Sequence, residues 1–208
     1  MNYNSQYGQD KFLNENFFHN KKNGIFVDIG AHNGISLSNS YFFEKELNWN
    51  GMCIEPIPTL FKELDKNREC VKIQGCAWNE DGIKKFRMIK GYAEMLSGIL
   101  DTYDSNHVKR IEKECESMKG SYEDIEIRCY DINNLLETNK FYKIDFLSID
   151  TEGSEFEILK KIDFEKFDIE VIVVENNYGE NKFKEFLSTK NYILNNRLSV
   201  DDIFTKIK

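Results

Sequence analysis

The chemistry legible in this sequence begins with a glycine turn and a set of carboxylates. Phe26-Val-Asp-Ile-Gly-Ala-His-Asn-Gly34 is an apolar run that carries an acid, Asp28, and turns on glycine before a helical segment. Gly30 lets the backbone approach a ligand, Gly34 relieves crowding where the helix is expected to start, and that helix's free N–H groups would face the crevice above a sheet. His32 lies inside the turn, where it either touches a ligand or fills space. Glu55 closes the next apolar run, Gly51-Met-Cys-Ile-Glu55, 27 positions after Asp28. An acid at such a strand tip can accept hydrogen bonds from both hydroxyls of an adenosine ribose. Asp150-Thr-Glu152-Gly153 and Glu175-Asn176-Asn177 close two later apolar runs. Carboxylates at strand ends can take a proton, hold a substrate hydroxyl or bind a hard cation. Asp150 is therefore a candidate catalytic base, and Asp150, Glu175 and Asn176 are a candidate set for magnesium or manganese, with helix capping and amine binding as alternative roles. His107 is a second candidate base, since a neutral imidazole could deprotonate an alcohol.

These residues need a scaffold that brings strand tips together. Apolar runs of strand length at 25–29, 52–54, 71–73, 144–149 and 169–174 alternate with segments whose apolar residues recur at helical spacing. That alternation predicts an α/β fold with a mostly parallel central sheet flanked by helices. Pro56 and Pro58 are expected to stop the second strand and start the next helix. Ser154 followed by Glu157 predicts a capping box, and Ser105 an N-cap. Residues 83–130 break the alternation with two strand-like stretches around a helix, and read as an insertion on the substrate side. Two runs at 192–198 and 200–207, joined by a tight turn, predict a closing antiparallel hairpin. The 208 residues are expected to form one domain.

Composition excludes several classes. A formal charge of −8 argues against a protein that neutralises phosphates, so nucleic acid is not an expected partner. No apolar run reaches the roughly 18 residues of a membrane span, and the segment MNYNSQYGQDKF has no signal-peptide character, so the expected location is the cytoplasm with no membrane partner. The five cysteines form no C-x-x-C pair and read as reduced, buried thiols. Nothing in the sequence fixes an oligomeric state.

In order along the chain, SQYGQDKFL at 5–13, FVDIGAHNGISLSNS, GMCIEPIPTLFKEL and FLSIDTEGSEFEILK at 146–160 resemble the successive motifs of FkbM-type methyltransferases. The resemblance implies a Rossmann-like class I methyltransferase fold. It implies S-adenosylmethionine at the glycine turn (Asp28, Gly30), with its ribose on Glu55 and its adenine near Cys76-Ala77-Trp78-Asn79. It also implies an N-terminal motif folded over the methionine end, which would engage Gln6, Tyr7 and Asp10; for Asp10 the alternative is a helix start. The implied acceptor is a hydroxyl of a sugar, a glycan or another small molecule.

An NAD(P)-dependent oxidoreductase shares the fold and the ribose carboxylate. The glycine spacing here, however, is G-x-x-x-G rather than G-x-G-x-x-G. The Tyr-x-x-x-Lys pair recurs at Tyr7/Lys11, Tyr41/Lys45 and Tyr178/Lys182, as expected by chance in such a chain. A methyltransferase-like domain that only binds a partner is the remaining alternative, and the joint presence of Asp28, Gly30, Glu55 and Asp150 weighs against it.

Overall fold

Period-2 alternation along the strands sorts side chains onto two faces, and each face is buried by its own set of helices. In the computed structural model, which describes residues 2–91, 93–103 and 105–207, the chain opens with α1 (Gln9–Leu13), which continues into a π-helical turn over Asn14–Phe18. There follow β1 (Ile25–Ile29), α2 (Tyr41–Leu47), β2 (Asn50–Glu55), α3 (Pro58–Asn67) and β3 (Val71–Gln74). After an intervening region come α5 (Ile132–Thr138), β8 (Lys143–Ile149), α6 (Glu155–Lys161), β9 (Asp168–Glu175), α7 (Lys182–Ser188), β10 (Tyr192–Leu198) and β11 (Asp201–Lys206). These strands form one seven-stranded sheet in the order β10-β11-β9-β8-β1-β2-β3. Its first five strands in sequence are parallel, and β11 runs antiparallel to both β9 and β10.

Val27, Ile29, Met52, Ile54, Leu147 and Ile149 point to one face and pack with Ile158, Leu159 and Leu187. Phe26, Cys53, Phe146 and Val171 point to the other, against Leu13, Phe42, Phe43 and Leu64. Strands buried on both faces read as continuous apolar runs, which is how the sequence displays them. The register aligns the tips, with Asp28 opposite both Cys53 and Ser148, and Ile29 opposite both Ile54 and Ile149. Gly30, Glu55 and Asp150 therefore lie along one sheet edge.

The intervening region is a second sheet, ordered β4-β7-β5-β6, built from β4 (Cys76–Trp78), β5 (Gly82–Lys90), β6 (Gly98–Ile99) and β7 (Ser121–Asp131). The long β5–β7 pair runs antiparallel from Gly82/Cys129 to Lys90/Ser121. It is crossed by α4 (Ser105–Met118), whose Ile111 packs with Ile89, Ala93 and Leu96.

Local chemistry departs from the sequence reading in three places. The helix after the glycine turn does not start at Gly34 but at Tyr41. Asn33 Oδ1 accepts from the N–H groups of Ile35 and Ser36, Ser38 Oγ accepts from those of Ser40 and Tyr41, and Leu37 takes φ 58°. Such side-chain turns give the backbone an alternative to a helix. The capping box is also replaced. Ser154 Oγ donates to Thr151 Oγ1, while the Glu155 carboxylate accepts from the N–H groups of Thr151 and Gly153. Ser105, lastly, is the first residue of α4 rather than the one ahead of it.

Candidate functional site

A cavity of about 270 Å³ opens along the edge where the tips of β1, β2 and β8 meet. Its floor is the glycine turn. A Cβ on Gly30 would stand 1.7 Å from the Asp150 carbonyl oxygen, and φ at Gly30 is +89°, so only glycine lets β1 turn this close to β8. Gly34, at φ +82°, clears the side chain of Arg68 in the same way. Arg68 is fully buried and acts as a strut beneath the turn. Its Nε donates to Glu44 at 2.7 Å, and its terminal nitrogens donate to the Gly34 carbonyl and Ser40 Oγ. Ser40 Oγ in turn donates to Asp28. Asp28 is buried, and burial lifts its pKa although Ser40 and the Arg68 charge pull the other way.

Glu55 is also buried at the tip of β2, and two backbone groups fix its carboxylate. Ile57 N–H donates to Oε1 at 2.8 Å and His32 N–H to Oε2 at 2.9 Å. Each oxygen keeps a lone pair for a further donor, so the group suits a vicinal diol. Burial carries its pKa to about 7, against the lowering effect of those two N–H groups, with the charges of Glu94 and Asp28 adding to the rise. Ile57, Leu60, Gly75, Cys76 and Ala77 make the wall beyond Glu55, a largely apolar slot.

At the other end, Asp150, Glu152 and Glu175 bring carboxylate oxygens within 4.8 Å of one another. Asp150 is open to the cavity yet surrounded by protein. That enclosure, then the charges of Asp201 and Glu155, lifts its pKa to about 7. Glu152 and Glu175 are pushed well above the usual carboxylate range by burial and by Asp150. Glu152 is held in the left-handed region at φ 55°. The second sheet and its connections add Phe86, Glu94, Met95, Ser97 and Arg110 to the cavity wall: Phe86 packs by the slot with Ile57 and Leu60, Glu94 stands 3.4 Å from His32, and Arg110 reaches Glu152 at 3.6 Å. From the first residues of the chain, Gln6, Tyr7 and Gln9 reach the same wall; Ser5 bridges to Leu37, and the Gln9 side chain donates to Asp201.

Of the residues singled out in the sequence, Gln6, Tyr7, Asp28, Gly30, His32, Glu55, Ala77, Asp150 and Glu175 all line this one cavity. Four others do not. Asp10 is fully buried below the wall, where it accepts from the N–H groups of Asn4, Ser5 and Lys11 and from Ser5 Oγ; it ties down the helix start instead of meeting a ligand. Asn79 follows the end of β4 and lies outside the cavity. Asn176 is turned away from the carboxylates, with its amide donating to Asp202 and to the Glu180 carbonyl and accepting from Glu180 N–H, so the set Asp150, Glu175, Asn176 does not assemble. Glu152 stands in its place. His107 is buried behind Glu152, off the cavity wall, because the apolar face of α4 turns it inward onto the Leu96 carbonyl at 3.2 Å. Its Nδ1 is 3.7 Å from Glu152. Sequence reasoning passed over Arg110 and the loop residues Leu37, Ser38 and Asn39, all of which line the cavity. No spacing marks them, since they arrive through an irregular turn and a separate sheet.

The parallel sheet with its antiparallel β11, the glycine turn and the strand-tip carboxylate define a methyltransferase-type α/β fold. The chain matches the Methyltransferase FkbM domain over residues 28–198, and it belongs to that family. It is accordingly a methyltransferase domain, and the family's methyl donor is S-adenosylmethionine. The solved structure of methyltransferase FkbM from Methylobacillus flagellatus KT is similar in fold, with a TM-score of 0.50 at 13% identity over 89% of this chain. This chain spans 44% of that protein's length. A TehB-like SAM-dependent methyltransferase from Corynebacterium glutamicum aligns with a TM-score of 0.47 at 11% identity, over 98% of this chain and 90% of the other. A search of curated proteins returns no significant match. Among the described residues no helix is long and apolar enough to cross a membrane.

Proposed function

We propose that the protein transfers the methyl group of S-adenosylmethionine to a hydroxyl of a sugar, a glycan or another small polyol. The carrying observation is the group of carboxylates of Asp150, Glu152 and Glu175 at the end of the cavity opposite the apolar slot. The cavity fits the donor in kind. Glu55 offers two fixed acceptors to a ribose, and the slot at Ile57, Leu60 and Ala77 takes an adenine. When bound, the donor supplies an electrophilic methyl group on a sulfonium.

An alcohol is too weak an acid to ionise near neutral pH, so its proton must leave as the O–CH3 bond forms and the S–CH3 electron pair returns to sulfur. Asp150 is the group we assign to receive that proton, since a carboxylate that titrates near 7 is a far better base than one at 4. The insertion 83–130 forms the acceptor side in this reading, because its Arg110 stands 3.6 Å from Glu152 and its Met95 and Ser97 line the same cavity. A neutral polyol can both donate to and accept from the carboxyl groups of Asp150, Glu152 and Glu175. A divalent cation, magnesium or manganese, is the second route to an ionised hydroxyl, and the spacing of the three carboxylates favours considering it.

Purified protein incubated with labelled donor and a panel of mono- and oligosaccharides should yield products heavier by one methyl group in mass spectrometry. Methylation confined to amines, proteins or nucleic acids would overturn the hydroxyl reading. Turnover that survives a chelator supports the carboxylate base. Loss with recovery on adding magnesium or manganese supports the cation.

A further inference from the structure

Among the described residues, six buried side-chain polar atoms lack a hydrogen-bond partner, and four of them belong to residues that line the cavity. These are both ring nitrogens of His32, Oε2 of Glu152 and Oδ1 of Asn39. His32 and Glu152 have charged neighbours: His32 Nε2 is 3.4 Å from Glu94, and Glu152 Oε2 is 3.7 Å from His107 and 3.6 Å from Arg110. Asn39 Oδ1 is different, a neutral buried acceptor without a donor. Such an atom raises the free energy of the folded chain unless a ligand supplies the donor.

The amide does not hang loose. Its Nδ2 donates to Ser148 Oγ at 3.0 Å, and Ser148 is nearly fully buried on β8, two residues before Asp150. The N-terminal segment lies over the same loop, bridged through Ser5 and Leu37, with Gln6 and Tyr7 on the cavity wall beside it.

Sheet order decides what reaches Asn39. Glu55 is at the tip of β2, and β8 lies on the opposite side of β1. A nucleoside held at β2 that crosses β1 at Gly30 delivers its far end to the β8 side, where Ser148 and Asn39 wait. In S-adenosylmethionine that far end is an α-amino acid, whose ammonium has three donors and whose carboxylate has none. A lone acceptor selects the ammonium.

We propose that Asn39 Oδ1 accepts a hydrogen bond from the α-ammonium of the methyl donor, with Ser148 fixing the amide's orientation. This rests on the S-adenosylmethionine reading of the cavity. Asn39 is thereby the residue that separates amino-acid-bearing adenosyl ligands from those without the amino acid.

Calorimetric titration with S-adenosylhomocysteine and with 5′-methylthioadenosine, which lacks the amino acid, tests it. Asn39→Leu should weaken S-adenosylhomocysteine at least tenfold and leave methylthioadenosine within twofold, and the latter also reports that the variant is folded. Asn39→Asp keeps the acceptor, Ser148 Oγ can turn to donate to it, and binding of S-adenosylhomocysteine should stay within threefold of the parent or tighten. Unchanged affinity for S-adenosylhomocysteine in Asn39→Leu, or equal loss of both nucleosides, would overturn the assignment. So would an Asn39→Asp variant as weak as Asn39→Leu, because that outcome puts the ligand's carboxylate at this site. Failure of the parent protein to bind S-adenosylhomocysteine at all would instead overturn the reading of the cavity, and the assignment with it.

Discussion

Glu55 ties proton binding to ligand binding, and the size of the effect follows from its environment. Its carboxyl is raised from 4.5 to about 7 in a buried position, a displacement worth about 3 kcal/mol. A raised carboxyl leaves the folded chain holding more protons than the unfolded chain between those two values. Its contribution to stability is therefore full below pH 4.5 and is lost as pH climbs through 7. Ribose hydroxyls donate more strongly to the ionised form than to the neutral one, so ligand binding favours loss of the proton. Below pH 7 the affinity for S-adenosylhomocysteine should rise by up to tenfold per pH unit and level off above it. Calorimetry at pH 6 in two buffers of different ionisation enthalpy should register release of close to one proton per ligand, falling to none by pH 8.5. Glu55→Gln should abolish most of that release and weaken binding by roughly 1.5–3 kcal/mol for each charge-assisted hydrogen bond lost. Flat affinity from pH 5.5 to 8 would refute the reasoning. Release undiminished in Glu55→Gln would refute it too, and would move the coupling to Asp150, which titrates in the same range.

Three other perturbations probe the same region. Asp150→Asn should cut single-turnover methyl transfer by about 10²- to 10⁴-fold while S-adenosylhomocysteine affinity stays within a few fold; near-parent turnover removes Asp150 as the base. Gly30→Ala places a methyl 1.7 Å from the Asp150 carbonyl on a left-handed backbone, so thermal denaturation should show a lower midpoint and calorimetry no binding, and parental values in both would contradict the close approach of β1 to β8. Arg68→Met leaves Glu44 with only the Lys45 ammonium, 3.3 Å away, and strips donors from the Gly34 carbonyl and Ser40, for which urea unfolding should show a loss of about 1–3 kcal/mol; a loss under about 0.5 kcal/mol would mean the strut carries little.

The centre of the sheet was legible because β1, β2, β8 and β9 are largely buried on both faces and display nearly continuous apolar runs, each ending at a tip where a candidate site residue sits. Glu55 and Asp150 could be found for that reason. Asp10 and Asn176 misled because an acid near a helix start, or an amide after a strand, has the same appearance whether it binds a ligand or satisfies local backbone. Only the partners, Asn4 and Ser5 for one and Asp202 and Glu180 for the other, tell the two roles apart. His107 was found as a residue but not as a direction, since one helical turn decides whether a side chain on α4 meets the cavity or the core. The loop at 35–40 escaped because two small polar side chains, Asn33 and Ser38, compete with the helix that the apolar spacing announces.

The hydrogen bond from Gln9 to Asp201 joins residues 192 positions apart. A growing chain on the ribosome makes the glycine turn and β2 before β11, and the wall against Asp201 stays open until β11 has been synthesised and paired. Contacts of such separation form late, after the loop between them has been closed. The cavity is thus completed only with β11, and a nascent chain with Asp150, Glu152 and Glu175 already made still lacks the Asp201 wall. Competence for ligand should appear in one step, once β11 has paired, rather than grow with chain length.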